Sequence, residues 1–244
     1  HPLNYALGIA KAALSAGAKI YENSPATSYK VLDDHVRVNT KNGSIKADRI
    51  VLACNGYLEN LEKSLTSKIL PMNNYIVATK PLDDEMVQKI NPKDIAFADS
   101  RFVINYFRMS ADKRLLFGGG ENYSQELSKN IVPIVTKPLE KIYPFLKGVK
   151  IDYAWGGKLA ITMNRLPFFT TLKKERVISA QGYSGQGVAL ASYSGKIVSE
   201  KITGTGEVFD IMSKIPRPSF PGGRFLRNPS MKIGMLYYSL LDRI

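Results

Sequence analysis

The sequence predicts an α+β protein in which an α/β region is interrupted by a separate antiparallel β region and then resumed. Three observations predict it. Short β-prone runs early in the chain close on an unbroken apolar run, Ile50-Val51-Leu52-Ala53, as a strand buried on both faces would. Hairpin signals then recur up to about residue 162, and a second apolar run, Arg176 to Ala180, passes through glycines into a helical pattern. Residues 1–62 and 163–244 are therefore assigned to one domain and residues 63–162 to the antiparallel one.

From Asn4 to Ala16, apolar residues at Tyr5, Leu7, Ile9, Ala12 and Ala13, with Gly17 following, predict an amphipathic helix that packs on a sheet. Strands are expected at Ala18 to Glu22, Ser28 to Leu32 and Val36 to Thr40, with Asn42-Gly43 as a two-residue hairpin signal leading into Ser44 to Ala47. Beyond Tyr57, Tyr75 to Thr79 reads as a strand, and Arg101 to Met109 and Arg114 to Gly118 flank Ala111-Asp112-Lys113 as a hairpin. Glu126 to Tyr143 is helical in pattern, with Pro133 and Pro138 expected to break or kink it. Two further strands, Ile151 to Trp155 and Lys158 to Thr162, are expected on either side of Gly156-Gly157, and a helix from about Val188 to Ile202. A Pro- and Gly-rich segment, Pro216 to Gly223, leads to a last amphipathic stretch, Met231 to Leu241.

At 244 residues and 44% hydrophobic, the chain can bury a sizeable core. It has no run of apolar residues approaching the roughly 20 that a membrane helix needs, so stable membrane insertion is not expected. The first residue is histidine and a helical pattern begins at once, so the chain reads as part of a larger protein. Cys54, the single cysteine, excludes an internal disulfide or a cysteine metal cluster and fits a reducing cytoplasm. The two histidines, His1 and His35, leave little for a metal site or a Ser-His-Asp arrangement, and His35 is expected in an exposed strand or turn. No metal site and no catalytic side chain are assigned, so chemistry must come from a bound cofactor. The net charge of +13 is spread without a run of five basic residues; pairs such as Lys173-Lys174 read as solvated loop positions, and nucleic acid is not the expected partner.

The segment Gln181-Gly182-Tyr183-Ser184-Gly185-Gln186-Gly187-Val188 joins a buried strand to a helix. It exposes backbone N–H groups at a positive helix end, a setting that favours an anion or an electron-rich carbonyl. The same glycines also suit a tight turn for steric reasons alone. Their order, G-x-x-G-x-G, is not the dinucleotide fingerprint G-x-G-x-x-G, and neither Gly118-Gly119-Gly120 nor Gly204-Thr205-Gly206 completes one.

Seven collinear pieces carry a resemblance. They are His1 to Gly8, Val51 to Tyr57, Arg114 to Gly119, Tyr153 to Gly157, Arg165-Leu166-Pro167, Gly182 to Gly187 and Phe220 to Arg224. In this set the chain resembles the D-amino-acid-oxidase-type superfamily of FAD-dependent oxidoreductases, and most closely its gamma-glutamylputrescine oxidase branch. The resemblance implies an FAD-binding domain with an inserted antiparallel substrate domain. Here the FAD-binding domain is incomplete, because the family's G-x-G-x-x-G segment and ribose-binding acid would precede His1. A preceding segment or a separate chain would then be a partner, and FAD would belong to the complete protein.

By the same resemblance, Gly182, Tyr183, Ser184, Gly185, Gln186, Gly187 and Val188 lie at the flavin's pyrimidine edge, and Ala26 at the adenine end. Ala53, Cys54, Asn55 and Gly56 fall near the ribityl and phosphate portion; Gly157 is a further cofactor candidate, and Thr162 and Asn164, at the end of a strand, are candidate polar contacts to the ring. Cys54 equally reads as a small buried hydrophobe. Tyr106 and Arg108 alternate onto one face of a strand, where a hydroxyl and a guanidinium suit a carboxylate, and Trp155 is a third candidate for the substrate. Each also has a plain structural reading, an edge strand for the pair and a core position for the tryptophan. Where sarcosine-oxidase relatives carry a lysine after the glycine turn, this chain has Val188-Ala189-Leu190, which points to an amine longer than a short amino acid. The expected function is oxidation of a C–N bond in a small amine or amino acid. The alternative is a non-catalytic basic subunit, or an anionic-surface module docking through Lys232 to Leu241.

Overall fold

The computed structural model describes residues 1–101, 104–119, 126–223, 226, 229 and 232–234. Part of the expected strand Arg101 to Met109, Gly120, Arg224 and all but three residues of the stretch Met231 to Leu241 lie outside the described residues. Two compact units are present: His1–Thr66 with Asn164–Arg217, and Ser67–Met163 with Pro218–Ile244. No helix among the described residues is long and apolar enough to cross a membrane.

The first unit opens with α1 (Pro2–Ser15), whose N-terminus is capped by the His1 side chain accepting from the Asn4 N–H at 3.2 Å. None of its residues is buried, so the expected packing of this helix on a sheet is not seen; Leu3, Leu7 and Leu14 are exposed. Its tether is Tyr5, whose hydroxyl donates to Ser192 Oγ at 3.0 Å. Residues 18–22 form no strand, because a strand exists only where a neighbour completes its hydrogen bonds, and among the described residues none pairs with them. β1 (Ser28–Val31), β2 (Val36–Thr40) and β3 (Gly43–Ala47) form the expected meander in the order β1-β2-β3. Thr40 pairs with Gly43, so the two-residue loop is Lys41-Asn42, one position earlier than the Asn-Gly dipeptide suggested. His35, expected to be exposed, is buried beside Val36, with its Nδ1 bonded to Asp34 Oδ1.

β4 (Ile50–Leu52) carries only one buried residue, Leu52; Val51 is exposed, because β4 pairs on one side only among the described residues. The second unit then contributes β5 (Leu70–Thr79), α2 (Asp84–Ile90), β6 (Phe97–Ala98), β7 (Tyr106–Met109), β8 (Leu115–Gly118), α3 (Val132–Ile142) and β9 (Ile151–Ile161). Its sheet is antiparallel throughout, in the order β6-β7-β8-β5-β9. One face, bearing Tyr75, Val77, Met109, Leu115 and Phe117, forms the core with Val135 and Leu139 of α3. Pro133 lies in the first turn of α3 and Pro138 sits inside it, so the helix continues past a residue expected to break it, at the loss of one backbone hydrogen bond.

β9 is a single strand where two were expected around Gly156-Gly157. Gly156 serves packing rather than a turn: a Cβ there would lie 2.6 Å from Tyr75 Cδ1, and the Tyr75 ring is fully buried.

The first unit resumes with β10 (Phe168–Leu172), β11 (Val177–Gln181), α4 (Gly187–Thr203) and α5 (Glu207–Lys214). β11 is buried throughout, pairing antiparallel with β10 and parallel with β4. Ile178, Ala180 and Phe169 pack with Ile197 and Val198 of α4 and Phe209 of α5. Between β10 and β11, Lys173, Lys174 and Glu175 all take positive φ, a turn with a backbone cost at each residue. Lys173 is not simply solvated. Its Nζ lies 3.4 Å from Glu62 Oε2 and 4.3 Å from the Tyr29 ring centroid. Glu62 also accepts from the Tyr29 hydroxyl and from the N–H and hydroxyl of Ser64.

Two outcomes follow for stability. Gly156→Ala forces a Cβ onto the Tyr75 ring and is expected to destabilise by about 1–3 kcal/mol, read from the denaturant midpoint. Burial by itself would raise the Glu62 carboxyl, but the hydrogen bonds from Tyr29 and Ser64 and the charge of Lys173 outweigh it and hold the group at about 2, against an ordinary 4.5. Its folded pKa is depressed, so its contribution is complete above about pH 4.5 and is lost as pH falls toward 2. Glu62→Gln is expected to lower stability at pH 7 by roughly 1–3 kcal/mol and to flatten the acid limb of the stability curve; an unchanged acid limb would remove Glu62 from the account.

Candidate functional site

In the first unit the candidate site is built at the carboxyl ends of two strands that pair in parallel. The ladder Val177↔Ile50, Ile178↔Val51, Ser179↔Leu52 sets the ends of β4 and β11 side by side. In open α/β sheets such ends are where ligands are held. The segments that leave them are joined directly: the Gly182 N–H donates to Asn55 Oδ1 at 3.1 Å. Asn55 itself has φ 48°, a left-handed conformation that asparagine tolerates, and starts a single 3-10 turn, Asn55–Tyr57.

Past Gly182 the chain turns sharply, with φ 79° at Gly182, 51° at Ser184 and 97° at Gly185. Tyr183 is buried inside the turn, its hydroxyl donating to the Ala180 carbonyl at 3.0 Å, and burial pushes its ionisation up. The turn is thus shaped by one inward tyrosine, which leaves its outer side to glycines. A Cβ at Gly185 would meet nothing within 4 Å, and one at Gly187 only the Tyr183 ring at 3.6 Å. α4 begins here without a side-chain cap, and Val188 in its first turn is exposed. Among the described residues no side chain caps the first N–H groups of this 17-residue helix, an end that favours negative charge.

Ala53 is exposed, Cys54 and Asn55 are half-buried, and Gly56 is buried. Burial raises the Cys54 thiol above its ordinary range, which keeps it protonated and a poor nucleophile at neutral pH. Ala26 is exposed in the segment before β1.

The second unit holds the other predicted residues. Gly157 lies on β9, opposite Asn74, and Thr162 follows β9 with its side chain buried. Cross-strand partners point to the same sheet face. The pairs Tyr106↔Gly118, Gly118↔Ile76 and Ile76↔Trp155 therefore place Tyr106 and Trp155 in one row across four strands, roughly 14 Å from end to end at Cα. Arg108 heads the adjacent row on the same face, through Leu116, Ala78 and Tyr153. All three predicted substrate residues and Gly157 share the face opposite the α3 core. Trp155 is 44% exposed and Arg108 is exposed, so neither is a core residue.

The match to known families decides the setting. Residues 1–201 match the family model described as FAD dependent oxidoreductase. The chain belongs to this family. It is 37% identical to a probable oxidoreductase, OrdL, of Haemophilus influenzae over the whole chain and 56% of that protein. It is 36% identical to the gamma-glutamylputrescine oxidoreductase of Escherichia coli, again over the whole chain and 57% of that protein. The chain thus spans little more than half the length of these curated relatives. Among solved structures, glycine oxidase from Geobacillus kaustophilus shares the fold with a TM-score of 0.69 at 20% identity, covering 87% of this chain and 57% of that one.

As a member of this FAD dependent oxidoreductase family, the chain has residues that fit a flavin at one end: a glycine turn with space for a Cβ at Gly185 and a helix N-terminus without a side-chain cap among the described residues. Sequence reasoning passed over the Asn55 bond to Gly182. The Asn-Gly after an apolar run was its visible signal, but no local pattern pairs residues so far apart.

Asn55→Ala leaves the Gly182 N–H without this partner and is expected to cost about 1–3 kcal/mol. Faster hydrogen exchange at Gly182 and its neighbours is the check.

Proposed function

We propose that the protein carrying this chain is an FAD-dependent oxidoreductase that oxidises a C–N bond in a small amine or amino acid, with a gamma-glutamylated diamine as the first substrate to test. The observation that carries this reading is the unobstructed N-terminus of α4 between Gly185 and Gly187. Membership of the family supports FAD as the cofactor, and the name of the Escherichia coli relative supports the substrate.

FAD, when bound, supplies the two-electron oxidant that turns the amine into an imine, which water then hydrolyses. The chain's own part is binding, orientation and electrostatics. Gly182 to Val188 would hold the pyrimidine edge, where the helix end stabilises negative charge. Ala53, Cys54, Asn55 and Gly56, at the end of β4, and Ala26 would line the path toward the adenine; Gly157 and Thr162 are proposed from the second unit. Tyr106, Arg108 and Trp155 would form the substrate face, with the exposed guanidinium available to a carboxylate and the indole supplying a flat apolar surface. No side chain is assigned as a strong base, so the amine must bind with its nitrogen lone pair unprotonated.

The full-length protein is expected to purify yellow and to bleach anaerobically with gamma-glutamylputrescine. A colourless protein, or one whose absorbance ignores the amine, would overturn the reading. Gly187→Val places methyl groups in the mouth of α4 where space exists, so the fold should survive by circular dichroism. FAD affinity should fall roughly tenfold or more, equivalent to about 1.4 kcal/mol.

A further inference from the structure

Trp155 has an aromatic neighbour on its own strand. Tyr153 lies two residues away on β9, roughly 6.6 Å at Cα, and side chains spaced by two along a strand share a sheet face. Tyr153 is 59% exposed, more than Trp155, so neither ring is spent on the core. The Tyr153 ring is nonetheless held. The Arg114 guanidinium lies 5.1 Å from its centroid, and Arg114 is itself fixed by Asp112 at 2.7 Å, Asp152 at 2.6 Å and the Thr79 carbonyl at 2.9 Å.

The two tyrosines of this face differ in what their hydroxyls do. The Tyr106 ring takes the space beside Gly118, where a Cβ would come within 2.2 Å of its Cε2, and its hydroxyl is bonded to the Asn74 carboxamide. The Tyr153 hydroxyl has no hydrogen-bond partner among the described residues, so a phenol fixed in place keeps its donor unused. Arg108 stands at the other end of the same row, across Leu116 and Ala78 and roughly 14 Å away at Cα. The row thus carries a donor at each end. A gamma-glutamyl group offers two matching acceptors, its α-carboxylate and its amide carbonyl, whereas the methylene chain of the diamine offers none.

We propose that Tyr153 is a specificity-determining residue that donates its hydroxyl to the amide carbonyl of a gamma-glutamyl amine, while Arg108 takes the α-carboxylate. Arg114 sets the ring in advance, which lowers the ordering cost of the contact. This rests on reading the sheet face as the substrate face. A tyrosine that served only to cover Arg114 would give way to phenylalanine without loss, since the ring alone makes that contact.

The test uses the full-length holoprotein. Tyr153→Phe keeps the ring on Arg114, so the unfolding midpoint should not move. KM for gamma-glutamylputrescine should rise roughly tenfold, the scale of one hydrogen bond, with kcat within about twofold. N-acetylputrescine keeps the amide carbonyl and lacks the carboxylate, so its inhibition constant as a competitor should rise by a similar factor. Putrescine has neither group, and its inhibition constant should stay within about twofold. An unchanged KM, an equal loss for putrescine, or a loss confined to the glutamyl compound overturns the role of Tyr153. If the unsubstituted holoprotein does not respond to gamma-glutamylputrescine, the functional reading falls and takes this role with it; if it responds and Tyr153→Phe matches it, the role of Tyr153 alone falls.

Discussion

The parallel pairing of β4 with β11 is the constraint on which the first unit depends. Parallel strands cannot be joined by a tight hairpin, so their ladder must be closed by chain from far apart in sequence. Here the two strands come from either side of the long segment that forms the second unit. Once the ladder forms, β4 ends opposite Ser179 and β11 runs two residues further, and the Asn55 to Gly182 hydrogen bond ties together the two segments that leave them. The positive-φ turn at Gly182 to Gly185 and the bare start of α4 follow from that junction.

The burial of β11 explains why this junction is well determined. All five of its residues are buried, and α4 and α5 cover it through Ile197, Val198 and Phe209. The turn is anchored to that strand, with Tyr183 folded inward and its hydroxyl bonded to the Ala180 carbonyl. Away from the core, polar groups do the fastening: Glu62 gathers Tyr29, Ser64 and Lys173 around one carboxylate. Such a cluster holds loops that have too little apolar surface to pack.

In the second unit the division of labour runs between the two faces of one sheet. The face toward α3 is filled by Tyr75, Val77, Leu115 and Phe117, and is a core. The opposite face carries the polar and aromatic side chains of Asn74, Tyr106, Arg108 and Trp155, and Arg108 and Trp155 on it are exposed. Glycines mediate on both sides, Gly156 making room for Tyr75 and Gly118 for Tyr106. Each is a place where an aromatic ring, rather than a turn, demanded the missing side chain.

Local patterns in the sequence determined the meander, the helix after the glycine turn, the hairpin of β7 and β8, and the alternation that sets Tyr106 and Arg108 on one face, because each depends on neighbours within a few residues. They also carried the family resemblance. Only the tertiary structure decided that β9 runs straight through two glycines, that His35 is buried, that residues 18–22 form no strand and that the apolar side of α1 is exposed. It alone brought Asn74 under Tyr106 and Asn55 to Gly182. Periodicity reports what a residue presents along its own strand or helix, whereas cross-strand partners and the covering of a face are set by segments distant in sequence, which no local pattern encodes.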